Sequence, residues 1–171
     1  MSEDCAAGNN VCDSAGTCAA SAVDPVGTAE DVTAISSGVI SGNAIEVHSN
    51  RLVTEIEANL LLDQPRDLRW VIWVWNGTEF EALATQLTTN QQGSAYFSSG
   101  AMSTTLEAGK RYVLGVGLVA GEGYLYHDLA PWDAEPSFGA ALGRVQTFYP
   151  GPGGDYVQDL LYAIRVTTEL P

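Results

Sequence analysis

Between Tyr124 and Glu135 the sequence gathers the side chains best suited to chemistry: Tyr124, Tyr126, His127, Asp128, Trp132, Asp133 and Glu135. Aromatic rings are flat apolar platforms and carboxylates accept hydrogen bonds from hydroxyls. The combination suits a glycan, whose CH faces stack on rings while its hydroxyls seek acceptors. The same residues have a structural use, with Tyr124 and Tyr126 in a core and Trp132 closing the end of a sheet. Asp128, Asp133, Glu135, Asp155 and Asp159 are hard oxygen donors in or beside long loops. Asp128, Asp133, Asp155 and Asp159 form a candidate calcium set, without the spaced ligands of an EF-hand loop.

Other chemistries fare worse. No G-x-S-x-G elbow is present, and the histidines are His48 and His127, so a catalytic triad would have to use one of those two. Glu55 and Glu57 share a strand face as a glycosidase pair would, but such neighbours on a polar surface are ordinarily solvated. Gly115-Val116-Gly117-Leu118-Val119-Ala120 matches a dinucleotide fingerprint as a string, yet it lies inside a strand with no helix after it. Gly151 to Gly154 lacks the Gly-Lys-Ser/Thr ending of a phosphate loop. Asn76-Gly77-Thr78 is a sequon by letters, in what reads as a tight turn. These residues predict a protein that is not an enzyme.

Composition narrows the partners. Seven Lys plus Arg against 21 Asp plus Glu leave a formal charge of −14 over 171 residues. That balance excludes the basic footprint nucleic acid requires and disfavours anionic membrane surfaces. It serves solubility or divalent cations. No apolar run reaches the length of a spanning helix, so no membrane insertion is expected. The length suits one domain with a full core and no required cofactor.

Cys5, Cys12 and Cys18 are the only cysteines, spaced C-x6-C-x5-C among small polar residues. Without a C-x-x-C or a nearby His they do not form a zinc site. A disulfide-closed loop in an oxidising compartment fits better, and an odd count leaves one thiol free or paired elsewhere. The pairing stays open. The segment Cys5 to Cys18 resembles the short Cys-rich linker repeats of large secreted bacterial proteins, which implies an extracellular or cell-surface location.

The elements that must position these residues read as strands. Trp70, Trp73 and Trp75 sit in the run Arg69 to Thr78, which ends in Asn76-Gly77, the preferred pair for a two-residue type I′ turn. Its two apolar faces predict a strand covered on both sides. Leu52 to Leu62 alternates as a strand, although Leu52, Ile56 and Leu60 also fit a helix. Pro65 and Asp67 are expected to break the chain before the Trp strand. Arg111 to Ala120 is a second central strand whose Gly115 and Gly117 leave a groove for a bulky neighbour, with the Trp strand as the expected source. Residues 1–38 read as a Cys-containing arm or linker and 39–171 as the domain.

About nine strands at this spacing predict an all-β, antiparallel two-sheet β-sandwich, jelly-roll or immunoglobulin-like. Thr104 to Gly115, with its Leu106-Glu107-Ala108-Gly109-Lys110-Arg111-Tyr112 element, together with the upstream Trp hairpin resembles the β-sandwich accessory modules of secreted bacterial proteins. The resemblance implies adhesion or binding of a glycan or another cell-surface component. The alternative is a structural subunit that assembles with copies of itself, its N-terminal arm adding a strand to a neighbour's sheet edge.

Overall fold

The computed structural model describes residues 21–132, 135–150 and 156–171, and the backbone of 11–12 and 18–19. Those residues hold thirteen strands and no helix. Two short strands, β1 (Val11–Cys12) and β2 (Cys18–Ala19), pair antiparallel with Cys12 opposite Cys18. Cys5 lies outside the described residues.

The remaining strands are β3 (Ser21–Pro25), β4 (Asp31–Ser36), β5 (Val39–Val47), β6 (Arg51–Trp75), β7 (Phe80–Ser98), β8 (Thr104–Leu106), β9 (Arg111–Leu118), β10 (Glu122–Leu129), β11 (Gly139–Phe148), β12 (Leu160–Tyr162) and β13 (Ile164–Glu169). They form one sheet, and it curls into a half-barrel. Its hub is β6, which pairs with β7, β8, β9, β10 and β13. In its first part, to Leu62, β13 and β10 lie on one side and β8 and β7 on the other. From Leu68 onward the neighbours are β9 and β7. Both β3 and β4 come from the stretch read as arm or linker, and they pair with β13 and β10.

The expected break at Pro65 and Asp67 is instead a bend within a continuous strand. Register with β7 shifts at Leu62/Arg66 and again at Arg66/Leu68. Proline cannot donate to a ladder, so the chain survives there only as an irregularity. Opposite it, Asn90 takes a left-handed φ of 59° and Gly93 a φ of 107°, so both strands of the hairpin turn together.

The part of β6 after the bend separates two apolar layers. The larger core joins Ile56, Leu60 and Leu125 from one part of the curl to Trp70, Ile72 and Leu114 from the other. The smaller lies on the opposite face of the Trp strand, where Val71, Trp73, Val113 and Ile40 pack with Val145. Trp70 and Trp73 are both buried, one in each layer. This is the two-sided burial the sequence predicts for that strand. The Trp70 indole N–H donates to Thr88 Oγ1 at 2.9 Å, which satisfies the only polar atom the ring takes into the core.

Two local expectations change. The Asn76-Gly77 connection is not a two-residue type I′ turn: Trp75 pairs with Phe80, leaving residues 76–79 as the loop, and Asn76 is absent from the positive-φ positions while Gly77 has φ 106°. Asn76 instead accepts the Thr78 and Glu79 amides on Oδ1 at 2.8 and 2.9 Å, an Asx-type turn. The groove over Gly115 and Gly117 is filled by Ile40, not by a tryptophan. A Cβ on Gly117 would lie 2.4 Å from the Val39 carbonyl oxygen and 2.7 Å from Ile40 Cδ1, so those glycines let β5 approach β9 closely.

Candidate functional site

Alternation along β10 sorts the predicted site residues before any side-chain detail is needed. Leu125 faces the core, so Tyr124 and Tyr126 face outward. Tyr124 is 41% exposed and Tyr126 half-buried, whereas His127, at 5%, and Asp128 are buried. His127 Nδ1 has no hydrogen-bond partner among the described residues. Trp132 and Glu135 lie past the end of β10, where with Ala130, Pro131, Ala141 and Gln158 they line a shallow depression. Tyr124 and Leu129 are separated by about 17 Å of strand, so Tyr124 and Trp132 belong to different places. Asp133 and Asp155 lie outside the described residues.

Of the calcium set, Asp128 and Asp159 fall among the described residues. Asp159 is held by Arg144, whose Nε and Nη2 donate to Oδ1 and Oδ2 at 2.8 and 3.0 Å. That bidentate pairing holds its carboxyl below the usual carboxylate range. Among the described residues no three His, Cys, Asp or Glu side chains are grouped to hold a metal.

Tyr124 stands at the mouth of a cleft of about 390 Å³. Its walls come from three elements: Ser36 from β4, Glu122 and Tyr124 from β10, and Asp63, Gln64 and Arg66 from the bend of β6. The cleft exists because β10 pairs with β6 only at Leu60 and Leu61, after which the bend carries β6 away. Arg66 is fixed across this opening. Its Nε donates to the Glu122 carbonyl at 3.2 Å, and its guanidinium lies so close over Gly121 that a Cβ there would be 2.4 Å from Cζ. Gly121 also takes a φ of 83°, so the turn before β10 favours glycine for its backbone conformation, while any larger residue there would displace the Arg66 guanidinium. One exposed ring, a guanidinium donor, two carboxylates and an amide thus converge on one concave surface.

A second polar cluster lies on the same outward side of β6. Glu55 and Glu57 flank Ile56, and the Ser98 hydroxyl donates to Glu55 Oε1. Arg165 stands opposite Glu57 in the β13 ladder and stacks on Tyr96, its guanidinium carbon 3.6 Å from the ring centroid. Burial pushes the Glu57 carboxyl up, Glu55 adds to that, and Arg165 opposes it. The folded protein therefore holds that proton to higher pH than the unfolded chain, so stability falls as pH rises from the ordinary glutamate value through the raised one. Glu57→Gln is expected to raise the melting temperature at pH 7 and to leave it unchanged at about pH 3.5, where glutamate is protonated in both states. Equal gains at both pH values in thermal denaturation would contradict this.

Asp24 is a fully buried carboxylate. Its two oxygens accept the Ser137 amide at 3.0 Å and hydroxyl at 2.9 Å, tying β3 to the loop before β11. Burial lowers the pKa of Arg51, and the charge of Asp24 partly restores it. This is a structural arrangement, since it sits under the loop and not in an opening.

Sequence reasoning found Tyr124 and missed its partners Arg66, Asp63, Gln64 and Ser36. The signal was present: Asp63-Gln64-Pro65-Arg66-Asp67 interrupts two apolar strands with polar residues, and such interruptions reach the surface. Comparison with protein-family models and with curated proteins finds no match for this chain.

Proposed function

We propose that this domain is a non-catalytic extracellular module that binds a neutral glycan of a cell surface in the cleft around Tyr124. The observation that carries the reading is the meeting of an exposed tyrosine face with Asp63, Gln64 and Arg66 in one cleft. A ring takes the CH face of a sugar, and the polar groups around it exchange hydrogen bonds with the hydroxyls. Asp63 and Glu122 outnumber Arg66, which favours an uncharged sugar over an acidic one. Under the same reading the curled sheet is a variant of the jelly-roll or immunoglobulin-like sandwich, supported by the two apolar layers on either side of the Trp strand. An oxidising location is supported by the β1–β2 register, because directly opposite residues of an antiparallel pair lie within the Cα range a disulfide spans.

A glycan array of neutral and acidic oligosaccharides, followed by titration calorimetry on the best neutral binder, tests the proposal. Tyr124→Ala and Arg66→Ala should each weaken binding by about tenfold or more, the loss of one stacked ring or one charge-assisted hydrogen bond. Trp132→Ala should leave affinity unchanged, with all three variants melting like the parent. Binding that survives Tyr124→Ala but is lost with Trp132→Ala would move the site to the other end of β10. An array with no neutral binder would refute the glycan reading.

A further inference from the structure

We infer that the β7 edge is a self-association surface, on which β7 of a second copy pairs antiparallel in a register centred on Thr85. Among the described residues β7 pairs with β6 alone, so its other edge carries an unused row of backbone donors and acceptors. Natural edges are ordinarily blocked by lysine, proline, inward charge, bulges or shortness, and β7 has only a bulge, at Leu83. The other edges here follow that rule: β3 carries Asp24 and Pro25, β4 is six residues long and begins at Asp31, β8 and β12 are three residues long, and β11 carries Arg144 and is bridged by Val157. In contrast, β7 is nineteen residues long with Glu81 as its only charge, and residues 82–106 contain no Asp, Glu, Lys or Arg. The bulge at Leu83, where register shifts between Ile72 and Trp73, twists the strand but adds no charge.

Charge identifies the occupant. Two chains of −14 repel wherever carboxylates face each other, and this neutral strip is where they can meet. Side chains point the same way. Thr85 and Leu87, opposite Val71 and Arg69, lie on the face of the smaller core; Leu83, Thr85 and Leu87 are exposed while Ala84, Gln86 and Thr88 between and beyond them are half-buried, with Leu83 and Leu87 at 47% and 54%. They are equidistant from Thr85 in sequence. A two-fold axis through Thr85 therefore sets Leu83 of each copy against Leu87 of the other, an isologous contact that extends the smaller core across the seam. Arg69, opposite Leu87, is already stacked on Tyr149 with 3.9 Å to the ring centroid, which gives that seam a fixed flank.

Sedimentation equilibrium of the full chain should show a concentration-dependent dimer. The double variants Leu83→Lys/Leu87→Lys and Leu83→Glu/Leu87→Glu should each weaken it by more than about tenfold. Mixing the two should restore a dimer, since opposite charges then face each other, and that recovery also shows that both variants fold. Deletion of residues 2–20 should leave the dimer intact. A strictly monomeric parent, dimers unaffected by either charged pair, no recovery on mixing, or loss of the dimer with the deletion would each overturn the inference, the last by assigning association to the N-terminal arm.

Discussion

Trp73→Ala is expected to lower the unfolding free energy by about 3–5 kcal/mol, the range for emptying a buried aromatic site. The loss should be at the upper end because the smaller core is built from few residues, with Trp73 between Val71, Val113 and Phe80. A small cluster on the outer face of a sheet has little material with which to refill the gap, and the strand it covers is the hub of the fold. Trp70→Ala should cost a comparable amount in the larger core and also leave Thr88 Oγ1 without its 2.9 Å donor. Urea denaturation read by far-ultraviolet circular dichroism measures both. A change below about 1 kcal/mol for Trp73→Ala, the size typical of surface substitutions, would mean that the second layer is not a packed core.

Asn43→Ala should be nearly as damaging, for a different reason. Asn43 is fully buried on β5, where its Nδ2 donates to the carbonyls of Val26 and Tyr162 at 2.7 and 2.8 Å and its Oδ1 accepts the Tyr162 amide at 2.8 Å. One amide thus satisfies three backbone groups that no strand ladder serves, and it links β5 to β12 and to the turn after β3. Removing it orphans all three, and each buried unsatisfied group costs about 1–3 kcal/mol. A total loss of about 3 kcal/mol or more is expected. Hydrogen exchange gives the specific signature, because the Tyr162 amide should lose protection well before neighbouring amides on β13. Unchanged protection at Tyr162 would show that Asn43 is not its acceptor.

These two residues mark what was and was not legible in the sequence. The Trp strand was legible because its information is local: β-branched and aromatic residues fill both faces of one short run, so burial on both sides follows from alternation alone. The strand over Leu52 to Leu62 was legible in the same way, once its period of two is set against a competing helical spacing. Asn43 was not, since nothing in Gly42-Asn43-Ala44 distinguishes a buried three-way bridge from a loop asparagine, and its partners lie in distant parts of the chain. The bend of β6 was half legible. Pro65 signalled an interruption, but whether a strand stops or bends there depends on Asn90 and Gly93 in the partner strand. The same limit applied to the cleft. A run of aromatics and carboxylates from Tyr124 to Glu135 looked like one site because it is contiguous in sequence, whereas a strand sends alternate residues to opposite faces and carries its two ends far apart. Tyr124 therefore joins Arg66 and Asp63, while His127 shares the opposite face with Leu125, and Asp128, on the side of Tyr124, is buried near the far end of the strand.

The function proposed here rests on that cleft, and backbone and side-chain NMR on the complex with the best-binding neutral oligosaccharide tests it most directly. Titration should shift resonances of Ser36, Gln64, Arg66, Gly123 and Tyr124, and leave those of Trp132, Glu135 and Gln158 at the opposite end of β10 unchanged. Shifts confined to the Trp132 end, or spread without a focus on the bend of β6, would contradict the assignment of the cleft as the binding site.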